Sequence, residues 1–582
     1  MTHGFSYNTS IIQLELSAFQ SYNSQNPILP GEPMNTISNM RLELYSNNYY
    51  RCLNSFTQSE FETAKILGQF YTHICVAETM VENLLEQMDK SSDRISVIDP
   101  FCGDGRLIVT FIQKLSEVNP NCQIEVTIWD IDEKGLEAAK QNILDAAKRF
   151  GMQIHLISEV TDSFARYYEK QYSFDVCITN PPWSILKPQK YFADQHEAKE
   201  QETFNQAIAS YDAFMKEEFH ISQPTAKFGK WGTNLARCGT EVALKLVKAN
   251  GFCSIVSPAS LLSDQVSERF RKWIFENYTL SHINYYVAGA KLYGSADITS
   301  VTLLFRHSFT EAEIQVFTYD DQLNSTKHTI SSDEFNFIKR NGYVFPFETG
   351  IEIISTLSTF EKLPTLGDKK IGLKFCREID ETRIQERLLP EGETTFVKGY
   401  MIDRYTYSPA PEQYANPEKC VIPDSTNYER IAWRDVSRNS QLRRVKATII
   451  PSHTIAGNSL GVAYLQSPDS SRLRYLLAIV NSIVFECQAR SMLVTNHVSA
   501  GVMKKIHIPV PNEKIAEKIV PLVNHCLKGD LSAEPYIESL VAINYGLSLQ
   551  DFLEISKPYY ETEESFSTLQ EIAKCVYDGE KL

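Results

Sequence analysis

Between about residues 61 and 310, short apolar runs rich in β-branched residues alternate with longer stretches whose apolar positions recur every three or four residues. "ISVID", "VTIWD", "FDVCIT", "GFCSIVS", "HINYYV" and "VTLLF" have strand length and strand composition, whereas "EKGLEAAKQNILDAAKRF" has the spacing of an amphipathic helix. That alternation predicts an α/β fold with a mostly parallel sheet and helices on both faces, because parallel strands need helical crossovers. Residues 1–60 show no clean period and read as a helical or irregular extension. From about residue 346 the pattern changes to short strands, proline-bearing turns ("SPAPEQYANPEKCVIPDS") and later helices. The chain thus divides into an extension over 1–60, an α/β domain over 61–345 and a separate domain over 346–582 that ends in helices. No repeat or low-complexity tract interrupts it.

Composition adds few constraints. The 582 residues allow two or three domains, and 43% hydrophobic with 22% charged residues is ordinary for a globular chain. No apolar run reaches 18 residues, and "MTHGFSYNTSIIQLELSAF" lacks the basic-then-apolar order of a secretion signal, so the expectation is a cytoplasmic protein with no membrane partner. The twelve cysteines never lie closer than fifteen residues apart, which excludes a CxxC zinc or redox pair; reduced, buried thiols and no bound metal are expected. The net charge of −15 argues against a nucleic-acid partner until its distribution is considered. Residues 427–446 carry Arg430, Arg434, Arg438, Arg443, Arg444 and Lys446 against Glu429 and Asp435, a local +4. A basic face on an acidic protein is compatible with both facts.

The candidate chemistry sits where predicted strands end. "ISVIDPFCGDGRLIVTFIQKL" (95–115) is a strand, a glycine-bearing turn and a helix, but the turn is not the GxGxxG of a pyrophosphate site. Asp99 closes the first strand, where a carboxylate suits an ammonium group; Gly103 and Gly105 allow close backbone approach to a ligand. Asp130 closes the next strand and would grip ribose hydroxyls, and Asp162, before "FDVCIT", would accept from an adenine amine. Each alone could equally be a turn or helix-capping aspartate. Three at successive strand ends make a nucleoside site the better explanation.

"NPPW", residues 180–183, follows the fourth strand of the series. Two prolines end a strand and stiffen the turn. At average composition an Asn-Pro-Pro-aromatic string arises by chance in on the order of one chain in a hundred or fewer. An exocyclic amine conjugated to a heteroaromatic ring is a poor nucleophile. If the Asn180 side-chain oxygen and the Pro181 carbonyl each accept one of its N–H groups, the nitrogen is held toward tetrahedral geometry with its lone pair directed outward. Trp183 would stack on the ring.

In order, "GQFYT" (68–72), "DPFCGDG" (99–105), Asp130, Asp162, "NPPW" and "GFCSIVSP" (251–258) resemble the γ-class, TaqI-like N6-adenine DNA methyltransferases of restriction-modification systems. The resemblance covers residues 60–310 specifically and the remainder loosely. It implies a Rossmann-like S-adenosylmethionine-dependent catalytic domain followed by a target-recognition domain. It further implies that Phe70, Tyr71 and Thr72 cover the methionine end of the cofactor, together with Asp99, Pro100, Cys102, Gly103 and Gly105. Asp130 with Ile131 would hold the ribose, Asp162 with Ser163 the adenine ring, and Asn180, Pro181, Pro182 and Trp183 the target base. Tyr293 stands where the family places a second stacking aromatic, or is a core aromatic. Two departures are plain: His73 replaces the usual proline after the threonine, and Trp183 replaces the commoner tyrosine or phenylalanine.

The implied partner is double-stranded DNA, from which the target base must be rotated out. Arg430, Trp433, Arg434, Arg438, Arg443 and Arg444, with Lys504 and Lys505 in "NHVSAGVMKKIHIPVP", are the expected DNA-binding residues, although such a charge run also suits a solvated face. A restriction endonuclease partner would be a separate polypeptide. The rival readings are an RNA adenine methyltransferase, a protein-glutamine methyltransferase and a non-catalytic DNA-specificity subunit.

Overall fold

The computed structural model describes residues 35–57, 66–187, 198–225, 232–293, 298–308, 310, 313–347, 349–380, 388–392, 394–409, 413–416, 422–438, 441–493 and 496–580. Residues 1–34 and 58–60 of the expected extension lie outside them. Two compact units emerge: residues 1–220 with 230–255, and residues 221–229 with 256–582. The division between them falls within the strand Val247–Pro258.

In the first unit, helices α1 (Asn35–Phe56) and α2 (Ile74–Gln87) precede a run of alternating elements. These are β1 (Arg94–Asp99), α3 (Arg106–Val118), β2 (Gln123–Asp130), α4 (Glu133–Phe150), β3 (Gln153–Val160) and β4 (Phe174–Thr179). Helices α5 (Ala198–Glu218) and α6 (Leu235–Leu246) and strand β5, which starts at Val247, complete it. The strands are parallel in the order β3-β2-β1-β4-β5. Buried Val97, Ile98, Val126, Ile128 and Ile178 form the two-sided core that near-continuous apolar strands imply. Helix α4 carries every terminal signal: an Asp132 N-cap, Glu133 in its first turn, Lys148 and Arg149 in its last, and a left-handed Gly151 cap. Chain order reverses at β1, whose neighbours are β2 and β4, and such a reversal opens a crevice outside the carboxyl ends of the strands. Asp99, Asp130 and Thr179 are the last residues of β1, β2 and β4.

The second unit holds α7 (Glu268–Asn277), β6 (Thr279–Tyr286), β7 (Ser300–Arg306), β8 (Ile314–Tyr319), β9 (Ser325–Ile330) and α8 (Ser332–Arg340). A separate four-stranded sheet follows, made of β10 (Leu373–Cys376), β11 (Arg430–Arg434), β12 (Ala447–Ile450) and β13 (Leu460–Leu465) in the order β10-β13-β11-β12. Helices α9 (Ser470–Asn481), α10 (Ile483–Met492), α11 (Glu513–Leu527), α12 (Glu534–Asn544), α13 (Leu549–Ser556) and α14 (Glu563–Glu580) end the chain.

This architecture corrects most of the expected DNA-binding set. Arg430 lies on β11 with no exposed surface; it pairs with buried Glu378 at 3.1 Å and donates to the carbonyls of Ser425, Tyr428 and Thr454. Trp433 is buried and donates to the Val498 carbonyl at 2.8 Å. Arg434 donates to the Ile402 carbonyl at 2.8 Å and faces Asp403. Arg443 pairs with buried Glu538 at 3.2 Å, and buried Arg444 donates through its side chain to the Ser437 carbonyl. The Arg444 and Val445 amides cap the Glu486 carboxylate. Arg443 and the Arg444 and Val445 amides tie the segment before β12 to the helices after it, and a guanidinium buried in the core or turned onto a neighbouring carbonyl is not placed to meet phosphate. Of the expected set, Arg438, Lys504 and Lys505 are exposed.

Candidate active site

The crevice at the strand ends is an open cleft with about 760 Å³ of space between its walls, part of it open solvent. Asp99 is almost completely buried; its Oδ1 accepts from the Thr179 hydroxyl at 2.7 Å and the Phe101 amide at 3.1 Å. Its Oδ2 is buried without a hydrogen-bond partner among the described residues. Burial pushes the Asp99 carboxyl up to about 7, against those two donors. The turn after it runs through Gly103 and Gly105, both left-handed (φ 51° and 78°). A Cβ on Gly105 would stand 3.0 Å from that of Ala139, so glycine lets α4 close on the start of α3. Asp130 accepts the Gly103 amide at 2.8 Å through Oδ2 and the Asp132 amide at 2.9 Å through Oδ1, which binds the β1 turn to the β2 end. Asp162 accepts the Phe164 amide at 2.9 Å, and the Ser163 hydroxyl donates to the Pro100 carbonyl.

Asn180 is held from one side only. Its amide nitrogen donates to the Phe70 carbonyl at 2.8 Å and the Thr72 hydroxyl at 3.2 Å, which orients the amide; its Oδ1 is buried with no partner among the described residues. The "GQFYT" and "NPPW" segments therefore form one structure. The Trp183 amide donates to the Gly68 carbonyl at 2.9 Å, and a Cβ on Gly68 would lie 2.6 Å from the Trp183 carbonyl carbon. The rings of Phe70 and Trp183 lie 5.4 Å apart at 45°. Below, α6 presents Gly239, whose added Cβ would stand 2.4 Å from the Pro181 Cβ. His73 has φ −63°, the angle a proline fixes, so its backbone follows the usual path while its side chain caps α2.

Within the cleft, then, lie Phe70, Tyr71, Pro100, Gly103, Asp130, Ile131, Asp162, Ser163, Asn180, Pro181 and Pro182. Thr72, Asp99, Cys102, Gly105 and Trp183 are next to those residues without being part of the lining; the Cys102 amide, for instance, donates to the Trp129 carbonyl at 3.0 Å. Tyr293 belongs to the second unit, buried, with its hydroxyl donating to Ser300 at 3.2 Å, the setting of a core aromatic.

Family comparison agrees with this geometry. The model of the N-6 DNA Methylase family matches residues 42–344, more than half the chain. The chain belongs to the N-6 DNA methylase family. A Type II methyltransferase, M.VspI from Vibrio sp. (strain 343), is 26% identical over 123 residues, covering 21% of this chain and 27% of that protein, so the match spans about a quarter of the relative's length. Among solved structures, the type IIG restriction endonuclease BpuSI aligns at 13% identity and TM-score 0.41 over 87% of this chain and 68% of its own. The type IIL restriction-modification enzyme MmeI in complex with DNA aligns at 13% and 0.45 over 91% and 78%. A putative class I S-adenosylmethionine-dependent methyltransferase from Listeria monocytogenes aligns at 16% and 0.31 over 54% and 80%.

This N-6 DNA methylase also has site residues that motif reading passed over. Asp132 lines the cleft beside Asp130 and, unlike it, is exposed, with one Oδ1 contact to the Lys134 amide. The "WDID" spacing could have marked it, since a second carboxylate two residues past a strand end faces the same crevice. Tyr50 lines the cleft from α1, and nothing in the sequence pattern of α1 singles it out. Among the described residues of the methylase no helix is long and apolar enough to cross a membrane, and no group of three or more His, Cys, Asp or Glu is arranged to hold a metal ion.

Proposed function

We propose that this protein is an S-adenosylmethionine-dependent methyltransferase acting on the N6 amine of an adenine flipped out of double-stranded DNA, as the modification enzyme of a restriction-modification system. The observation that carries this reading is the Asn180 amide, fixed through its nitrogen and left with an unpartnered acceptor oxygen. An amine donor is what such an oxygen lacks.

The residues fit the cofactor. A buried, unpartnered carboxylate oxygen on Asp99 suits an ammonium, and Asp130 and Asp132 suit ribose hydroxyls at the same cleft. When bound, S-adenosylmethionine supplies an electrophilic methyl group on a sulfonium. The chain's own part is to bind, orient and exclude water. Asn180 Oδ1 and the Pro181 carbonyl accept the two amine N–H groups and direct the nitrogen lone pair; Trp183 supports the base by stacking, backed by Phe70. No strong general base is needed, because the proton lost after transfer leaves a cationic nitrogen of low pKa for solvent.

Flipping costs a few kcal/mol, which DNA contacts must offset. The arrangement best suited to this is a large open cleft in the second unit, lined by Arg269, Lys272, Arg340, Lys362, Lys504 and Lys505 against Glu268 and Glu361. This excess of cations on a chain of net charge −15 is concentrated where phosphates would be held.

The test is to incubate the protein and S-adenosylmethionine with unmethylated plasmid, followed by long-read sequencing that detects methyladenine. Modified adenines in one recurrent motif, absent with Asn180→Ala, are expected. An unmodified plasmid despite cofactor binding would overturn the DNA assignment.

A further inference from the structure

Two helices outside the alternating β-α framework converge on the Asp162 carboxylate. From α1, the Ser46 hydroxyl donates to Oδ2 at 2.5 Å; from α5, the Tyr211 hydroxyl donates to the same oxygen at 2.7 Å. Both donors are fully buried, and they lie 116 and 49 residues from Asp162 in sequence. The helices grip each other through aromatic rings: Tyr49 stacks on Tyr211 at 5.1 Å and 17°, and Tyr45 lies 5.5 Å from Phe214. One residue past Tyr49, Tyr50 turns into the cleft wall.

A helical serine buried in an apolar setting ordinarily satisfies itself on a carbonyl of the preceding turn. Ser46 instead reaches across to a carboxylate on the rim of the candidate cofactor site, and Tyr211 does the same from another helix. A carboxylate offers about four acceptor positions. The two hydroxyls and the Phe164 amide fill three, leaving one for a further donor. Burial pushes the Asp162 carboxyl above its ordinary value, although those three donors work against the shift.

We propose that α1 and α5 form a clasp over the nucleobase end of the cleft, in which Ser46 and Tyr211 are positioning residues that hold Asp162 as acceptor for the exocyclic amine of the cofactor's adenine. Docking of α1 is then coupled to cofactor binding, and by reciprocity the bound nucleoside tightens α1. This rests on reading the cleft as the S-adenosylmethionine site.

Calorimetric titration with S-adenosylhomocysteine tests it without any methyl transfer. Tyr211→Phe, which removes one oxygen, and Ser46→Ala should each weaken binding about tenfold, within the usual range of coupling between a positioning contact and a ligand; Ser46→Thr should retain wild-type affinity. The inosine analogue of the ligand, which has no exocyclic amine, should bind wild type and Tyr211→Phe equally. Hydrogen exchange at residues 45–53 should slow when S-adenosylhomocysteine binds. No binding to the wild-type protein would overturn the reading of the cleft itself. Wild-type affinity in both Tyr211→Phe and Ser46→Ala, or an equal loss for adenosyl and inosyl ligands, would overturn the clasp while leaving that reading intact.

Discussion

With Asp99 holding the cofactor's ammonium as proposed, cofactor binding should depend on pH. Burial holds its carboxyl at about 7 instead of the ordinary 3.8, and nearby Asp130 and Asp104 add to the shift. Because the folded-state value is raised, the group favours the folded apoprotein most below about pH 4, and that contribution is lost as pH rises through about 7. Ligand binding has the opposite slope: an ammonium pairs with the ionised carboxylate, so its affinity follows the ionised fraction. With a value of about 7 that fraction is about 0.9 at pH 8 and about 0.1 at pH 6. S-adenosylhomocysteine, whose ammonium stays charged throughout this range, should therefore bind about tenfold more weakly at pH 6 than at pH 8, a difference of ~1.4 kcal/mol. At pH 7 binding should release about half a proton, visible as a dependence of the calorimetric heat on the buffer's ionisation enthalpy. Asp99→Asn should bind weakly at pH 8 and show no slope between pH 6 and 8. Equal wild-type affinity at both pH values, with no proton released, would refute the pairing of Asp99 with the ammonium.

Other expectations follow from individual contacts. Asn180→Ala should lower the methyl-transfer rate by about 10²- to 10³-fold in single-turnover assays, the usual consequence of deleting one oriented hydrogen-bonding group at a reacting centre. Gly239→Ala should destabilise the fold by about 1–3 kcal/mol in denaturant melts and impair transfer, because the added methyl overlaps Pro181. Arg430→Ala should cost about 3–5 kcal/mol of stability by leaving Glu378 buried and unpaired, and a melting temperature equal to wild type would contradict that. Replacing Arg269, Lys504 and Lys505 together by alanine should leave S-adenosylhomocysteine affinity unchanged. It should flatten the salt dependence of DNA binding by about one unit of log–log slope per lost phosphate contact.

The alternating pattern anticipated β1, β2, β4 and β5 because parallel, doubly covered strands leave a local record, apolar runs ending in Asp99, Asp130 and Thr179; the half-exposed edge strand β3 left no such run. The link between "GQFYT" and "NPPW" was legible only as two motifs; Gly68 touching Trp183 is a long-range contact without periodicity. The part played by α1 was not legible, since its tyrosines follow no simple apolar stripe and their partners lie on α5. The basic run at 427–446 misled for a related reason. Its neutralising acids, Glu378, Asp403 and Glu538, stand tens of residues away, and local charge counting cannot distinguish a solvated arginine from one paired at a distance.

That buried arginine network bears on how such a protein can be recombined. A crossover between residues 446 and 470 would send Arg443 to one parent and Glu538 to the other. Each resulting chimera would then need a foreign segment offering carboxylates at matching depth and angle, or else carry a stranded charge in its interior. The β10–β13 sheet and the helices that follow it should consequently be inherited as a block, with viable exchange points before Glu378 and diversification confined to surface loops.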